Sequence, residues 1–207
     1  MTKRRIALFG GSFDPVHLGH TEVARAAAEQ LEAETVVFIP AKCSPLKRFL
    51  PHASDADRLK MIELAVRKDD LFSVSDCELQ RPAPSYTLDT VKQFQADYGP
   101  ETSVYWLLGA DSVGDLVYWH GIDQLIDICS LAVMVRGGYA APQFDPYLSL
   151  WGPERIEKLR RNVIETPSID ISSTKIRACL AAGEDVSGML APPVAQYINQ
   201  HQLYARR

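Results

Sequence analysis

Short β-type runs alternate with helical segments along almost the whole chain, and that alternation restricts the fold more than any other feature. Residues Ile6–Phe9, Thr35–Ile39, Phe72–Val74, Val104–Leu108, Leu131–Val135 and Val163–Ile164 read as strands, the first closed by glycines and the second stopped by Pro40. Between them, composition and spacing predict helices over Leu18–Leu31, Asp55–Arg67, Leu88–Tyr98 and Pro153–Arg161. Leu59, Ile62, Ala65 and Val66 form the expected buried face of the second helix, and Pro153 suits a first helical turn. Two further helices, Ser173–Ala182 with Gly183 at its end and Pro193–Gln200, close the chain. Strands joined through helices return parallel, so the expected architecture is α/β, a mostly parallel sheet with helices on both faces. Ligands of such sheets bind at the carboxyl ends of the strands, where the strand order reverses. Two stretches, Pro40–Ser54 and Gly137–Leu150, are read as irregular loops long enough to be functional.

With 207 residues, 46% of them hydrophobic, the chain can bury a sizeable core, and residues 1–207 read as a single domain. A net charge of −4 leaves no overall positive field to gather nucleic acid or an anionic membrane, so any phosphate must be held locally. The longest apolar run, Ile128–Val135, is interrupted by Ser130 and falls far short of the roughly 20 residues of a membrane span. Lys3, Arg4 and Arg5 precede too short an apolar stretch for a secretory signal, so a cytoplasmic location is expected. Cys43, Cys77, Cys129 and Cys179 lie far apart and read as ordinary buried or half-buried thiols. The sequence leaves homo-oligomer formation open.

Chemistry is concentrated in a few segments. Gly10-Gly11-Ser12-Phe13-Asp14-Pro15-Val16-His17-Leu18-Gly19-His20 follows the first strand and opens the first helix. Glycines there let backbone approach a ligand closely, and a helix start offers unpaired N–H groups and partial positive charge to an anion. His17 and His20, three apart, can both face that anion and donate hydrogen bonds to it. Taken alone, Gly-Gly after a strand is more often a simple tight turn. No cysteine or carboxylate stands at a zinc spacing from the two histidines, and the segment has neither the dinucleotide-binding glycine fingerprint nor the Lys-Ser/Thr of a P-loop. Ile171-Ser172-Ser173-Thr174-Lys175-Ile176-Arg177 reads as a second helix start, in which a serine is the N-cap and Arg177, one turn in, can grip phosphate. Two anion-binding helix starts suit a triphosphate.

The pairing of Gly-Ser-Phe-Asp-Pro-Val-His-Leu-Gly-His with the late Ile-Ser-Ser-Thr-Lys-Ile-Arg resembles the bacterial nicotinate-nucleotide adenylyltransferases, in the His-x-Gly-His nucleotidyltransferase superfamily. Class I aminoacyl-tRNA synthetases carry a similar first element but pair it with a Lys-Met-Ser-Lys-Ser-type loop, which is absent here. The resemblance implies a Rossmann-like nucleotidyltransferase fold and transfer of AMP from ATP to nicotinate mononucleotide. It implies catalytic roles for His17, His20 and Arg177, and an ATP site of Gly10, Gly11, Ser12, Phe13, His17, His20, Gly109, Asp111, Ile171, Ser172, Ser173, Thr174 and Arg177, completed by C-terminal helices at about 172–204. In the same way it implies that Ser12, Lys47, Tyr86, Thr87, Trp119 and Arg136 bind the mononucleotide, with the Trp119 indole stacked on the pyridine ring. His120 is expected at the surface or behind the site. Mg²⁺ held by phosphates and water is the implied cofactor, with no protein metal ligand. Two segments depart from the family pattern: Ser44-Pro45-Leu46-Lys47 stands where Pro-Pro-His-Lys is usual, and Arg136-Gly137-Gly138 replaces Arg-Pro-Gly. The alternatives are the same chemistry on nicotinamide mononucleotide, a non-catalytic nucleotide-binding regulator, and an RNA-binding domain, the last disfavoured by the acidic balance.

Overall fold

A computed structural model describes residues 4–46 and 50–205 of the chain. Six strands, β1 (Arg5–Gly11), β2 (Thr35–Pro40), β3 (Phe72–Val74), β4 (Ser103–Gly109), β5 (Ser130–Arg136) and β6 (Val163–Thr166), form one sheet in the order β3-β2-β1-β4-β5-β6. Every neighbouring pair is parallel, as the alternating pattern requires. The helices are α1 (Leu18–Leu31), α2 (Asp55–Val66), α3 (Cys77–Gln80), α4 (Thr87–Tyr98), α5 (Ile122–Ile128), α6 (Leu148–Arg161), α7 (Ser173–Ala182) and α8 (Pro192–Gln200).

The chain begins in the middle of the sheet, builds outward through β2 and β3, then crosses back to lay β4 on the other side of β1. Connections leave the carboxyl ends of β1 and β4 in opposite directions, which opens a crevice between them. Being covered on both faces, the central strand is apolar from Ile6 to Phe9: Ala7 and Phe9 enter the core beneath α1, α2, α7 and α8, whereas Ile6 and Leu8 enter the core beneath α4, α5 and α6.

Local signals set the helix ends. Ser54 caps α2 by accepting the Asp57 N–H at 3.1 Å, Ser172 caps α7 by accepting the Lys175 N–H at 3.2 Å, and Gly183 ends α7 in the left-handed region at φ 73°. Within α6, Gly152 at φ 74° breaks the helix, so its second part starts at Pro153 as the sequence predicts.

The structure differs from the sequence reading in the short elements between those expected, in the 137–150 loop and in the buried face of α2. Helices α3 and α5 and the 3-10 helix Ala110–Tyr118 lie between predicted elements, too short for periodicity to declare them. The expected loop 137–150 holds a 3-10 turn at Asp145–Tyr147 and the first turn of α6, organised around the buried Phe144. Helix α2 presents Arg58, Met61, Ile62 and Val66 to the core, leaving Leu59 and Ala65 half-buried, a rotation brought about by the burial of an arginine. All four cysteines are unpaired, Cys77 and Cys129 buried and the other two half-buried. Among the described residues no helix is long and apolar enough to cross a membrane.

Candidate active site

Two adjoining pockets occupy the crevice, sharing Gly11 and Ser12 at the end of β1. The first, about 350 Å³, runs from Phe9 and Gly10 to Trp106–Gly109 at the end of β4 and is walled by Ser85, Tyr86, Thr87, Trp119 and His120. The second is lined by Gly11, Ser12, Phe13, Asp14, His20, Ser173, Thr174 and Arg177, with His52 at its edge. Segments separated by most of the chain, the starts of α1 and α7, thus face one space.

Gly10 makes the first pocket possible, because a Cβ there would overlap the Trp106 indole that packs across the strand end. Gly109 is constrained similarly, since the Asp111 carboxylate folds back over it. Residues 84–87 are braced from the β2 loop: the Ser85 N–H donates to the Cys43 carbonyl at 2.9 Å, the Lys42 N–H donates to Ser85 Oγ at 3.1 Å, and Lys42 Nζ donates to the Leu79 and Arg81 carbonyls at 3.2 Å. Tyr86 then caps α4 with its backbone alone, so the first N–H groups of that twelve-residue helix border the pocket where Thr87 lines it. The Tyr86 ring lies against His120 at 4.4 Å between centroids.

Around the second pocket the loop between β1 and α1 has no ladder to satisfy its carbonyls, and side chains from elsewhere do so instead. Arg58 Nη1 donates to Ser12 O at 2.7 Å, Arg177 Nη1 to Asp14 O at 2.6 Å, and Ser173 Oγ to Pro15 O at 2.9 Å. Phe13 takes φ 45°, a strained conformation for an aromatic residue that this bracing maintains. The buried Asp14 carboxylate accepts the backbone N–H groups of His52 and Ala53 at 2.7 and 3.0 Å and the Tyr204 hydroxyl at 2.8 Å. Burial pushes its pKa up, but these donors together with the His52 ring outweigh burial and hold the group below the usual carboxylate range.

The two histidines, equivalent by spacing, occupy different environments. Their rings stack at 3.7 Å, and the His17 N–H donates to His20 Nδ1 at 3.2 Å. That acceptor role leaves the neutral ring's proton on His20 Nε2. His20 lines the second pocket, whereas His17 is buried behind it, lines neither pocket, and has an Nδ1 without a hydrogen-bond partner. Gly19 makes room for that ring, since a Cβ there would sit 3.0 Å from His17 Nδ1. Burial pushes the His17 pKa down to about 4, so the ring is neutral at pH 7. Because the unfolded chain protonates this residue below its ordinary pKa of 6.5, stability falls as pH drops from there toward 4. The expected loss between pH 7 and pH 4 attributable to His17 is about 3 kcal/mol. Denaturant titrations at both pH values should show it in the wild type and not in His17→Gln; equal losses would remove the assignment.

Of the residues predicted from sequence, Gly10, Gly11, Ser12, Phe13, His20, Tyr86, Thr87, Gly109, Trp119, Ser173, Thr174 and Arg177 line one pocket or both. Ser172 is an N-cap, Ile171 packs half-buried against the core, Asp111 reaches the site only through Gly109, and Arg136 is exposed at the end of β5, lining neither pocket. Lys47 lies outside the described residues.

Residues 8–179 match the cytidylyltransferase-like family. A relative from Neisseria meningitidis serogroup B named "Probable nicotinate-nucleotide adenylyltransferase" is 38% identical over 98% of this chain and 100% of its own. One of the same name from Pectobacterium atrosepticum is 38% identical over 96% and 97%. The chain belongs to the bacterial nicotinate-nucleotide adenylyltransferases. Its fold is shared with Plasmodium falciparum nicotinic acid mononucleotide adenylyltransferase complexed with NaAD, at a TM-score of 0.75 and 21% identity over 97% of each chain. The same protein complexed with APC gives 0.67 at 20% identity, again over 97% of each chain.

Several residues of the adenylyltransferase site are not singled out by sequence. Arg58, whose side chain is fully buried, announces itself only as a charge on an apolar helix face. Trp106 looks like one more core residue of β4 until its indole is seen against Gly10. Glu78, buried on the wall of the first pocket, accepts the Thr90 hydroxyl at 2.7 Å and has Arg81 at 3.9 Å. Burial raises its pKa, and the Thr90 and Ser85 hydrogen bonds and the nearby Arg81 only partly offset this. Tyr204 carries no local signal at all.

Proposed function

We propose that the adenylyltransferase transfers AMP from ATP to nicotinate mononucleotide, forming nicotinate adenine dinucleotide and pyrophosphate. The observation that carries this reading is the meeting of an aromatic-walled pocket and a phosphate-type pocket at Gly11 and Ser12. Two nucleotides lying one in each pocket bring their phosphates together over the β1–α1 loop. The mononucleotide phosphate attacks the α-phosphorus of ATP in line, the bond from that phosphorus to the bridging oxygen breaks, and pyrophosphate leaves without a covalent enzyme intermediate. The barrier is repulsion between anions, so the protein contributes positioning and donors aimed at developing charge.

In this reading His20 Nε2–H, the Arg177 guanidinium and the hydroxyls of Ser173 and Thr174 hold the ATP phosphates, and Ser12 contacts both substrates. His17 acts from behind, fixing the His20 ring. Gly11 and Phe13 line the ATP side, with Ile171 and Ser172 behind it, whereas Gly10 and Gly109, expected with them, line the first pocket, and Asp111 abuts Gly109 there. The pyridine stacks on Trp119, and its carboxylate meets the free N–H groups at the start of α4 beside Tyr86 and Thr87. Lys47 remains a mononucleotide-phosphate contact in this proposal on the strength of its position in the sequence, whereas Arg136, exposed outside both pockets, has only its sequence position in favour of binding the mononucleotide. The C-terminal segment from Ser172 onward completes the phosphate side of a one-domain enzyme.

The described residues contain no group of three His, Cys, Asp or Glu side chains able to hold a metal ion. Asp14, the carboxylate of the phosphate pocket, has both oxygens engaged. In this proposal Mg²⁺ enters as part of the MgATP substrate, held by phosphates and water and screening their charge. In this reading the substrates are small molecules, the reaction involves no nucleic acid or membrane, and the setting is cytoplasmic.

A second substrate has one observation in its favour. Glu78, a carboxylate on the wall of the first pocket, opposes an anionic ring substituent and would suit the neutral amide of nicotinamide mononucleotide. Pyrophosphate release from MgATP, measured with each mononucleotide at equal concentration, separates the two. The expected result is a preference for the acid of about 100-fold or more, the discrimination typical of a site built for a polar group. Equal or reversed rates would overturn the substrate assignment, and no release with either would overturn the reaction.

A further inference from the structure

Tyr204 lies 190 residues from Asp14, yet its phenol hydroxyl donates to Asp14 Oδ1 at 2.8 Å. The turn that brings it there holds two non-glycine residues in the left-handed region, Gln202 at φ 51° and Tyr204 at φ 64°. A bulky residue adopts that conformation only when its surroundings hold it. Helix α8 is fastened nearby, with the Tyr197 hydroxyl donating to Asp57 Oδ1 on α2 at 2.8 Å.

Asp14 is an anion almost without solvent, at 5% exposure, so every lone pair it presents needs a donor. Oδ2 takes the His52 N–H and faces His52 Nδ1 at 3.1 Å, and Oδ1 takes the Ala53 N–H and the Tyr204 hydroxyl. The neighbouring cation is Arg177, whose Nη1 lies 3.9 Å from Asp14 Oδ2 and donates instead to the Asp14 carbonyl at 2.6 Å. Its Nη2 reaches Thr174 Oγ1 at 3.3 Å, on the wall of the phosphate pocket. Arg177 is therefore close to the buried carboxylate without being hydrogen-bonded to it.

We propose that Tyr204 is a positioning residue for ATP phosphates: by occupying Asp14 Oδ1 it keeps the Arg177 guanidinium presented to the ligand rather than drawn onto the Asp14 carboxylate. Without the hydroxyl, Oδ1 loses a donor in a site water reaches poorly, and the guanidinium is the mobile donor at hand. A direct Arg177–Asp14 ion pair would then compete with phosphate for the same N–H groups. The C-terminal turn thereby belongs to the anion site although Tyr204 does not line it. This inference rests on the reading of the second pocket as the ATP phosphate site.

Tyr204→Phe removes one oxygen and keeps the ring that packs against the core. Calorimetric titration of the 207-residue chain with inorganic pyrophosphate and with ATP, both with Mg²⁺, should show affinity for each weakened about tenfold in the variant, the scale of one lost charge-assisted contact. The KM for MgATP should rise in step, while the KM for the mononucleotide stays within about twofold and the thermal midpoint within about 3 °C. Unchanged pyrophosphate and ATP affinity would overturn the proposal. So would a parallel loss in both KM values with a lower midpoint, which would mark Tyr204 as a structural clasp only. If the wild type itself binds neither pyrophosphate nor ATP, the phosphate-site reading fails and this inference fails with it.

Discussion

His20→Ala lowers kcat by about 10²–10³-fold, the cost of removing one preorganised donor from the site of developing charge. The ring is already oriented before substrate arrives: it stacks on His17 at 3.7 Å, receives the His17 N–H on Nδ1, and packs its edge toward Phe13 at 5.0 Å and Phe9 at 6.0 Å. The position costs no reorganisation during the reaction, which is the condition for a large electrostatic contribution. Because the same contact is weaker in the ground state, the KM for MgATP should change less than about threefold. Steady-state kinetics at saturating mononucleotide check this, with circular dichroism confirming the fold. A variant with near-normal kcat would remove His20 from the mechanism and leave catalysis to Arg177 and the α7 hydroxyls.

Arg58→Ala should be the most damaging substitution outside the pockets. Its guanidinium is fully buried, with Nη1 donating to Ser12 O at 2.7 Å and Nη2 to Asp55 Oδ1 at 2.6 Å. Truncation leaves a cavity where a long side chain stood and removes the charged donor of a buried carbonyl, together about 3–5 kcal/mol. For a chain of this size the thermal midpoint should fall by about 10 °C, read by calorimetry. Ser12 lines both pockets, so the KM values for both substrates should rise together, unlike the one-sided effect expected of Tyr204→Phe. Arg58→Lys should recover little, because one ammonium cannot span the fork that joins Ser12 and Asp55. A midpoint within about 2 °C of wild type in Arg58→Ala would show that α2 holds the loop by apolar packing alone.

The α7 and α1 starts show how much of the site was legible beforehand. Ser172 as a cap, Gly183 as a helix end and Pro153 as a helix start were readable because each acts on backbone a few residues away. The glycines before α1 and the serine, threonine and arginine of α7 were readable as phosphate-binding types for the same reason. Spacing could not separate His17 from His20, however, since three residues on a helix place both on one side. Burial separates them, and Gly19 leaves the room that the buried His17 ring occupies. Arg136 resembled a ligand contact by position, yet the end of β5 lies two strands from β1, and its side chain is exposed there.

The sequence by itself determined the order of strands and helices, the parallel sense of the sheet and the two helix starts suited to anions. All of these follow from backbone sterics and hydrophobic periodicity acting over a few neighbouring residues. Only the tertiary structure decided that β1 and β4 meet at the reversal of strand order, that Arg58 and Arg177 hold the carbonyls of one loop, and that Tyr204 reaches Asp14. These are pairings between segments 46 to 190 residues apart, made by closing the core and by the need of buried polar groups for partners, and no local pattern encodes them.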